Sequence, residues 1–68
     1  MANYWTLLVK ENGVWGPQFG SFEYQDLVAE LQDYRSHGVS NKSLKIIRTD
    51  ESQEAIDSRI KAINSMEN

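Results

Sequence analysis

Two runs of aromatic and branched apolar residues open the chain, and a turn signal separates them. Residues 4–9 and 14–19 have the composition of strands. Asn12-Gly13 stands between them, and this dipeptide between two such runs is a strong hairpin signal. The pattern predicts an antiparallel hairpin. Pro17 marks its second strand as a sheet edge, because proline cannot donate a hydrogen bond to a ladder.

The length of the turn decides which side chains share a face of the hairpin. A three-residue loop over residues 11–13 gathers the large apolar side chains on one face: Trp5, Leu7, Val9, Trp15, Pro17 and Phe19. A two-residue Asn-Gly turn would place the two tryptophans on opposite faces. Because a slip of one residue turns every side chain to the other face, we expect the register that builds a single apolar face.

Two segments with apolar residues three and four positions apart follow the hairpin, and this spacing is the helical period. The first helix is expected over residues 23–37, and Gly38 suits the left-handed residue that ends a helix. A third strand is predicted over residues 44–49. Asp50 with Gln53 resembles a capping box for a second helix that runs to about residue 65, with fraying over residues 65–68.

The predicted element order is ββαβα in one small α+β domain, residues 1–68. The first strand is apolar on both faces, so we place it at the centre of a three-stranded antiparallel sheet of strand order 2-1-3. Both helices are expected on one face of this sheet, which leaves the other face open.

The small size of the chain limits how it can be stabilised. Sixty-eight residues bury a marginal core, and chains of this size often add disulfides, a metal or a second subunit. The chain has no cysteine and one histidine, His37, so no disulfide, metal site or cofactor is predicted. Formation of a homodimer is the remaining way to add stability to so small a core.

Charge and hydropathy exclude several classes of function. The net charge is −3 and the pI is near 4.9, which opposes general binding to a polyanion. No apolar run approaches the ~20 residues of a membrane span, and the N-terminus has no basic segment followed by an apolar one. We therefore expect a cytoplasmic protein with no membrane contact.

The open sheet face is the first candidate for function. We expect it to carry a mixture of polar and apolar side chains, namely Tyr4, Thr6, Leu8, Val14 and Gln18. Such a face is either solvated, as in many antiparallel sheets, or a docking surface. The favoured interpretation is a protein interface, for a second copy of the chain or for another protein.

Two clusters of charge offer alternatives. Basic residues stand around the third strand, at Arg35, Lys42, Lys45 and Arg48, and basic residues beside sheet aromatics occur in single-stranded nucleic-acid modules. Lysines beside an edge strand also have a structural explanation, since they discourage edge-to-edge pairing. The first helix carries an acidic row, Glu23, Asp26, Glu30 and Asp33, which is either a solvated face, a contact for a basic partner or the raw material of a metal site.

Several stretches resemble a set of very short bacteriophage and prophage proteins. The resemblance lies in residues 4–20, in residues 33–39 and in residues 44–49. It implies a phage context and supplies no activity or site residues. Together with the surface argument it favours a non-enzymatic accessory protein that binds a host or phage protein, with a weak nucleic-acid-binding module as the alternative.

Overall fold

A computed structural model describes residues 3–67. The elements in chain order are β1 (Asn3–Glu11), β2 (Val14–Ser21), α1 (Tyr24–Ser36), a 3-10 turn (Asn41–Ser43), β3 (Leu44–Asp50) and α2 (Gln53–Glu67). The strands form one sheet in the order β2-β1-β3, and both pairings are antiparallel. The predicted α+β class, the element order and the strand order are confirmed.

The hairpin uses a two-residue turn. Asn12 has φ 54° and Gly13 has φ 81°, the pair of positive values that a type I′ turn requires. Glu11 pairs with Val14, and Lys10 pairs with Trp15. The predicted three-residue loop is therefore wrong, and Trp15 lies on the opposite face of the sheet from the odd-numbered apolar residues of β1.

A β-bulge then reverses the phase of β2. Leu8 pairs with Pro17, whereas Leu7 pairs with Phe19, so that Gln18 is the extra residue. An extra residue turns the following side chains to the other face. As a result β2 contributes Trp15 to one face of the sheet and Phe19 to the other.

The two helices pack on opposite faces of the sheet. On the face that we call the α1 face, Leu7 and Val9 form a core with Leu27. On the other, the α2 face, Leu8 packs with Ile63 of α2. The expectation that both helices share one face is corrected: β1 is apolar on both sides because each side is buried under its own helix.

The dimensions of the molecule agree with this layering. Its extents are 35 × 29 × 12 Å. The shortest extent is close to the width of three strands, about 10 Å at the usual strand spacing. The 29 Å extent accommodates a helix of ~10 Å diameter on each side of the sheet.

Local hydrogen bonds define the end of α1. Gly38 has φ 94°, and its N–H donates to Arg35 O at 3.0 Å. The Val39 N–H donates to Tyr34 O at 3.1 Å, which completes a Schellman motif. The predicted role of Gly38 is confirmed.

The start of α2 differs from the expectation. Ser52 Oγ accepts a hydrogen bond from the Ala55 N–H at 3.2 Å, so Ser52 and not Asp50 caps a helix that begins at Gln53. Fraying of residues 65–68 stays a prediction, and residue 68 lies outside the described residues.

Candidate interaction surface

The sheet face predicted to be open is covered by α2. Thr6 is 3% exposed and Leu8 is fully buried, so neither offers a surface to a partner. Tyr4, Thr6 and Gln18 line a shallow depression of about 270 Å³ beside α2, and Val14 stands apart at the hairpin, 56% exposed. The structure thus brings three of the five predicted interface residues together, at the margin of a buried face.

Members of the predicted basic cluster lie on opposite faces of the sheet. The Lys45 Nζ lies 5.1 Å from the centre of the Trp15 ring, on the α2 face. The Arg48 Cζ lies 5.9 Å from the centre of the Trp5 ring, on the α1 face. Arg35 belongs to α1 and Lys42 to the 3-10 turn, so the four residues do not form one basic surface.

The acidic row on α1 is exposed apart from the half-buried Glu30 and makes local contacts. Asp26 Oδ2 accepts a hydrogen bond from Ser21 Oγ at 2.8 Å, and the Asp33 carboxylate lies 3.9 Å from His37 Nδ1. Across residues 3–67, no three histidine, aspartate or glutamate side chains are grouped as metal ligands. These contacts stabilise the ends of α1.

The free edge of β2 is closed by a side-chain amide. Asn64 of α2 accepts a hydrogen bond from the Trp15 N–H at 2.8 Å and donates one to the Trp15 carbonyl at 3.1 Å. Both backbone groups of Trp15 therefore point away from β1. Asn64 occupies the position that a residue of an additional strand would take.

The next outward position of β2 is blocked as well. Backbone groups along a strand point alternately to its two sides. Pro17, two residues beyond Trp15, therefore also faces outward, and it has no N–H to offer. The bulge at Gln18 follows immediately, and bulges disrupt edge pairing. Additional strands are excluded from this stretch of β2.

The free edge of β3 has none of these devices. The backbone groups of Trp15 point away from β1, so those of its partner Lys10 point away from β2 and toward β3. Because these directions alternate along β1, the backbone groups of Leu8 and Thr6 also point toward β3. Their register with β3 leaves the N–H and C=O groups of Ile46 and Arg48 pointing outward. Among the described residues these outward groups have no hydrogen-bond partner, and the ladder of β3 contains neither proline nor bulge.

A groove of about 410 Å³ runs beside this edge, between β3 and α2. Ile47 and Ile63 are buried in its floor, and Met66, 85% exposed, stands at its rim. Lys45 and Arg59 line the same groove, and no described carboxylate does. The groove combines an apolar floor with positive charge.

Aromatic side chains pack near the surface in two places that the sequence did not predict: on the α1 face beside Arg48, and against Tyr4 at the depression beside α2. The Trp5 ring, beneath Arg48, packs edge-on against Tyr24 with ring centres 4.7 Å apart. Tyr24 is 48% exposed, although it lies three positions before the buried Leu27 of α1. Phe22, 53% exposed, packs edge-on against Tyr4 at 5.0 Å. The sequence does not show where α1 lies. In the structure α1 covers β1 and β2 and leaves Tyr24 and Phe22 exposed.

Comparison of the chain with protein-family models, with curated proteins and with solved structures found no match. Neither helix within residues 3–67 combines the length and apolar character that a membrane span requires.

Proposed function

We propose that this chain is a non-enzymatic interaction protein that accepts an extended protein segment at the free edge of β3. The segment belongs to a second copy of the chain or to another protein, and the interaction takes place in the cytoplasm. Such strand addition uses main-chain hydrogen bonds for affinity and side-chain pockets for selectivity. The proposal replaces the buried sheet face with an edge as the binding surface and keeps the phage context that the resemblance implies.

The observation that carries the proposal is the difference between the two sheet edges. β2 is closed by Asn64, by Pro17 and by a bulge, which are devices that prevent edge-to-edge pairing. β3 is regular, and it presents the backbone groups of Ile46 and Arg48 to the outside. An open edge in a sheet whose other edge is protected favours a role for the open one.

Side chains beside β3 add a second line of support. Arg48 over Trp5, with Tyr24 packed against that ring, places arginine, tryptophan and tyrosine side by side near the surface. These three residue types are enriched among those that dominate binding energy in protein interfaces. The groove with Ile47 in its floor offers apolar contact on the opposite side of the edge.

The test uses two substitutions at one position. Arg48→Pro removes the outward N–H and leaves the ladder to β1 intact, because that N–H makes no bond to β1. Arg48→Ala removes the side chain and keeps the N–H. We expect both variants to retain the circular dichroism spectrum of the wild type.

Association is then measured by light scattering for the purified chain and by affinity capture from host lysate. We expect the complex formed by wild type, a dimer or a bound protein, to survive Arg48→Ala with reduced affinity and to be lost in Arg48→Pro. A folded Arg48→Pro variant that forms the same complex with unchanged affinity would show that the β3 edge is not the binding surface.

A further inference from the structure

We infer that the segment accepted by β3 is an acidic strand of another protein, with apolar side chains at alternate positions. This inference rests on the proposed function and adds the chemistry of the partner. Its basis is the charge around the edge, which differs in sign from that of the chain as a whole.

Four of the chain's seven basic residues lie along β3 or directly beside it: Lys42, Lys45, Arg48 and Arg59. The net charge of the whole chain is nevertheless −3. Lys45 and Arg59 line the groove on the α2 face, whereas Arg48 stands on the α1 face. A strand added to β3 meets a cation on each of its two faces.

The two faces of the added strand differ in the apolar contacts they meet. Side chains that point to the α2 face enter the groove over Ile47 and Ile63, beside Met66. Side chains that point to the α1 face lie next to Ile46 and Arg48. Because successive side chains of a strand alternate between faces, apolar residues suit the groove, and acidic residues suit the opposite face near Arg48.

Charge also distinguishes this partner from a second copy. A second copy paired through β3 brings the same cations, Lys45, Arg48 and Arg59, to the shared interface. The only acid of β3 is Asp50 at the end of the strand, so each copy brings one acid against these three cations. Like charges brought close together across a strand pair are unfavourable, whereas an acidic segment compensates them.

The probes are three blocked heptapeptides in which valine alternates with glutamate, with glutamine or with lysine. The readout is amide hydrogen exchange in the isotopically labelled full chain. The amides of Ile46 and Arg48 point outward and are expected to exchange rapidly, whereas those of Lys45 and Ile47 are bonded within the sheet. Protection that a peptide adds at Ile46 and Arg48, with no change at Lys45 and Ile47, is specific for strand addition at this edge.

We expect the glutamate peptide to protect Ile46 and Arg48 and to bind about tenfold more tightly than the glutamine peptide at low salt, a difference of ~1.4 kcal/mol. The advantage should decline as salt screens the charges. Arg48→Gln should reduce it, because the glutamates of a peptide whose valines fill the groove lie on the α1 face beside Arg48. Lys61→Gln in α2, outside the groove, should not.

Three results would overturn the inference, and they are distinguishable. Equal protection by the glutamate and glutamine peptides would remove the preference for acid and leave strand addition in place. Protection of Ile46 and Arg48 that rises with protein concentration, without peptide, would identify a second copy as the occupant. No protection of these amides by any peptide, and none at rising protein concentration, would overturn the inference and the proposed function together.

Discussion

The contact between Asn64 and Trp15 gives a quantitative test of the edge closure. Asn64→Ala removes two hydrogen bonds, of 2.8 and 3.1 Å, that join residues 49 positions apart in the chain. A neutral hydrogen bond contributes about 1 kcal/mol net, so the loss is ~2 kcal/mol. Alanine is a better helix former than asparagine by roughly 0.5 kcal/mol, which offsets part of it. The expected loss of unfolding free energy is about 1.5 kcal/mol.

Urea denaturation and thermal melts measure this loss. For a domain of this size about 1.5 kcal/mol corresponds to a decrease in Tm of roughly 6–12 °C. Ser65→Ala is the matched control: Ser65 is exposed and adjacent in α2, so its replacement should leave the stability equal or slightly higher. If Asn64→Ala is as stable as wild type, water replaces the amide at no net cost, and the bond to the β2 edge does not stabilise the fold.

Two further pairs of variants test the packing of the sheet. Leu8→Glu places a carboxylate at a fully buried position under α2, so we expect loss of the helical circular dichroism signal, whereas Val14→Glu at the exposed hairpin end should stay folded within about 0.5 kcal/mol of wild type. A folded Leu8→Glu would refute the position of α2. A Cβ at Gly20 overlaps the Tyr4 ring, whereas one at Gly16 meets nothing within 4 Å. We therefore expect Gly20→Ala to be less stable than Gly16→Ala by up to about 1 kcal/mol in urea denaturation, because the end of the Tyr4 ring must move, and equal stabilities would contradict the Tyr4 packing.

The hairpin shows which features of the fold the local sequence predicts and which it does not. Asn12-Gly13 identified the turn correctly, because few residue pairs tolerate two positive φ values. A three-residue turn collects Trp5 and Trp15 on one face, but this expectation assumes a single core. The bulge at Gln18 lets the strand change phase between its two halves, and hydrophobic spacing alone does not identify such a change.

The candidate surface was predictable only in part. The sequence indicated an edge strand with basic neighbours at Lys45 and Arg48, and the structure places both beside the free edge. It did not indicate that α2 covers Leu8 or that Asn64 closes the opposite edge, because both contacts join segments about 50 residues apart. Without those contacts, the sequence predicts an open sheet face as the binding surface. In the structure that face is covered, and the open surface is the edge of β3.

The sequence by itself determined where each strand and helix lies and where α1 ends, since these follow from local periodicity, turn residues and capping. It also determined the order 2-1-3, since β1 is apolar on both faces and therefore central. Tertiary structure alone decided which face each helix covers. Leu7 and Leu8 are both fully buried, and a strand apolar on both faces needs cover on both. The consecutive apolar residues of β1 indicate that both of its faces must be covered. Only packing decides which helix covers which face, because each helix has an apolar stripe that is able to pack on either one.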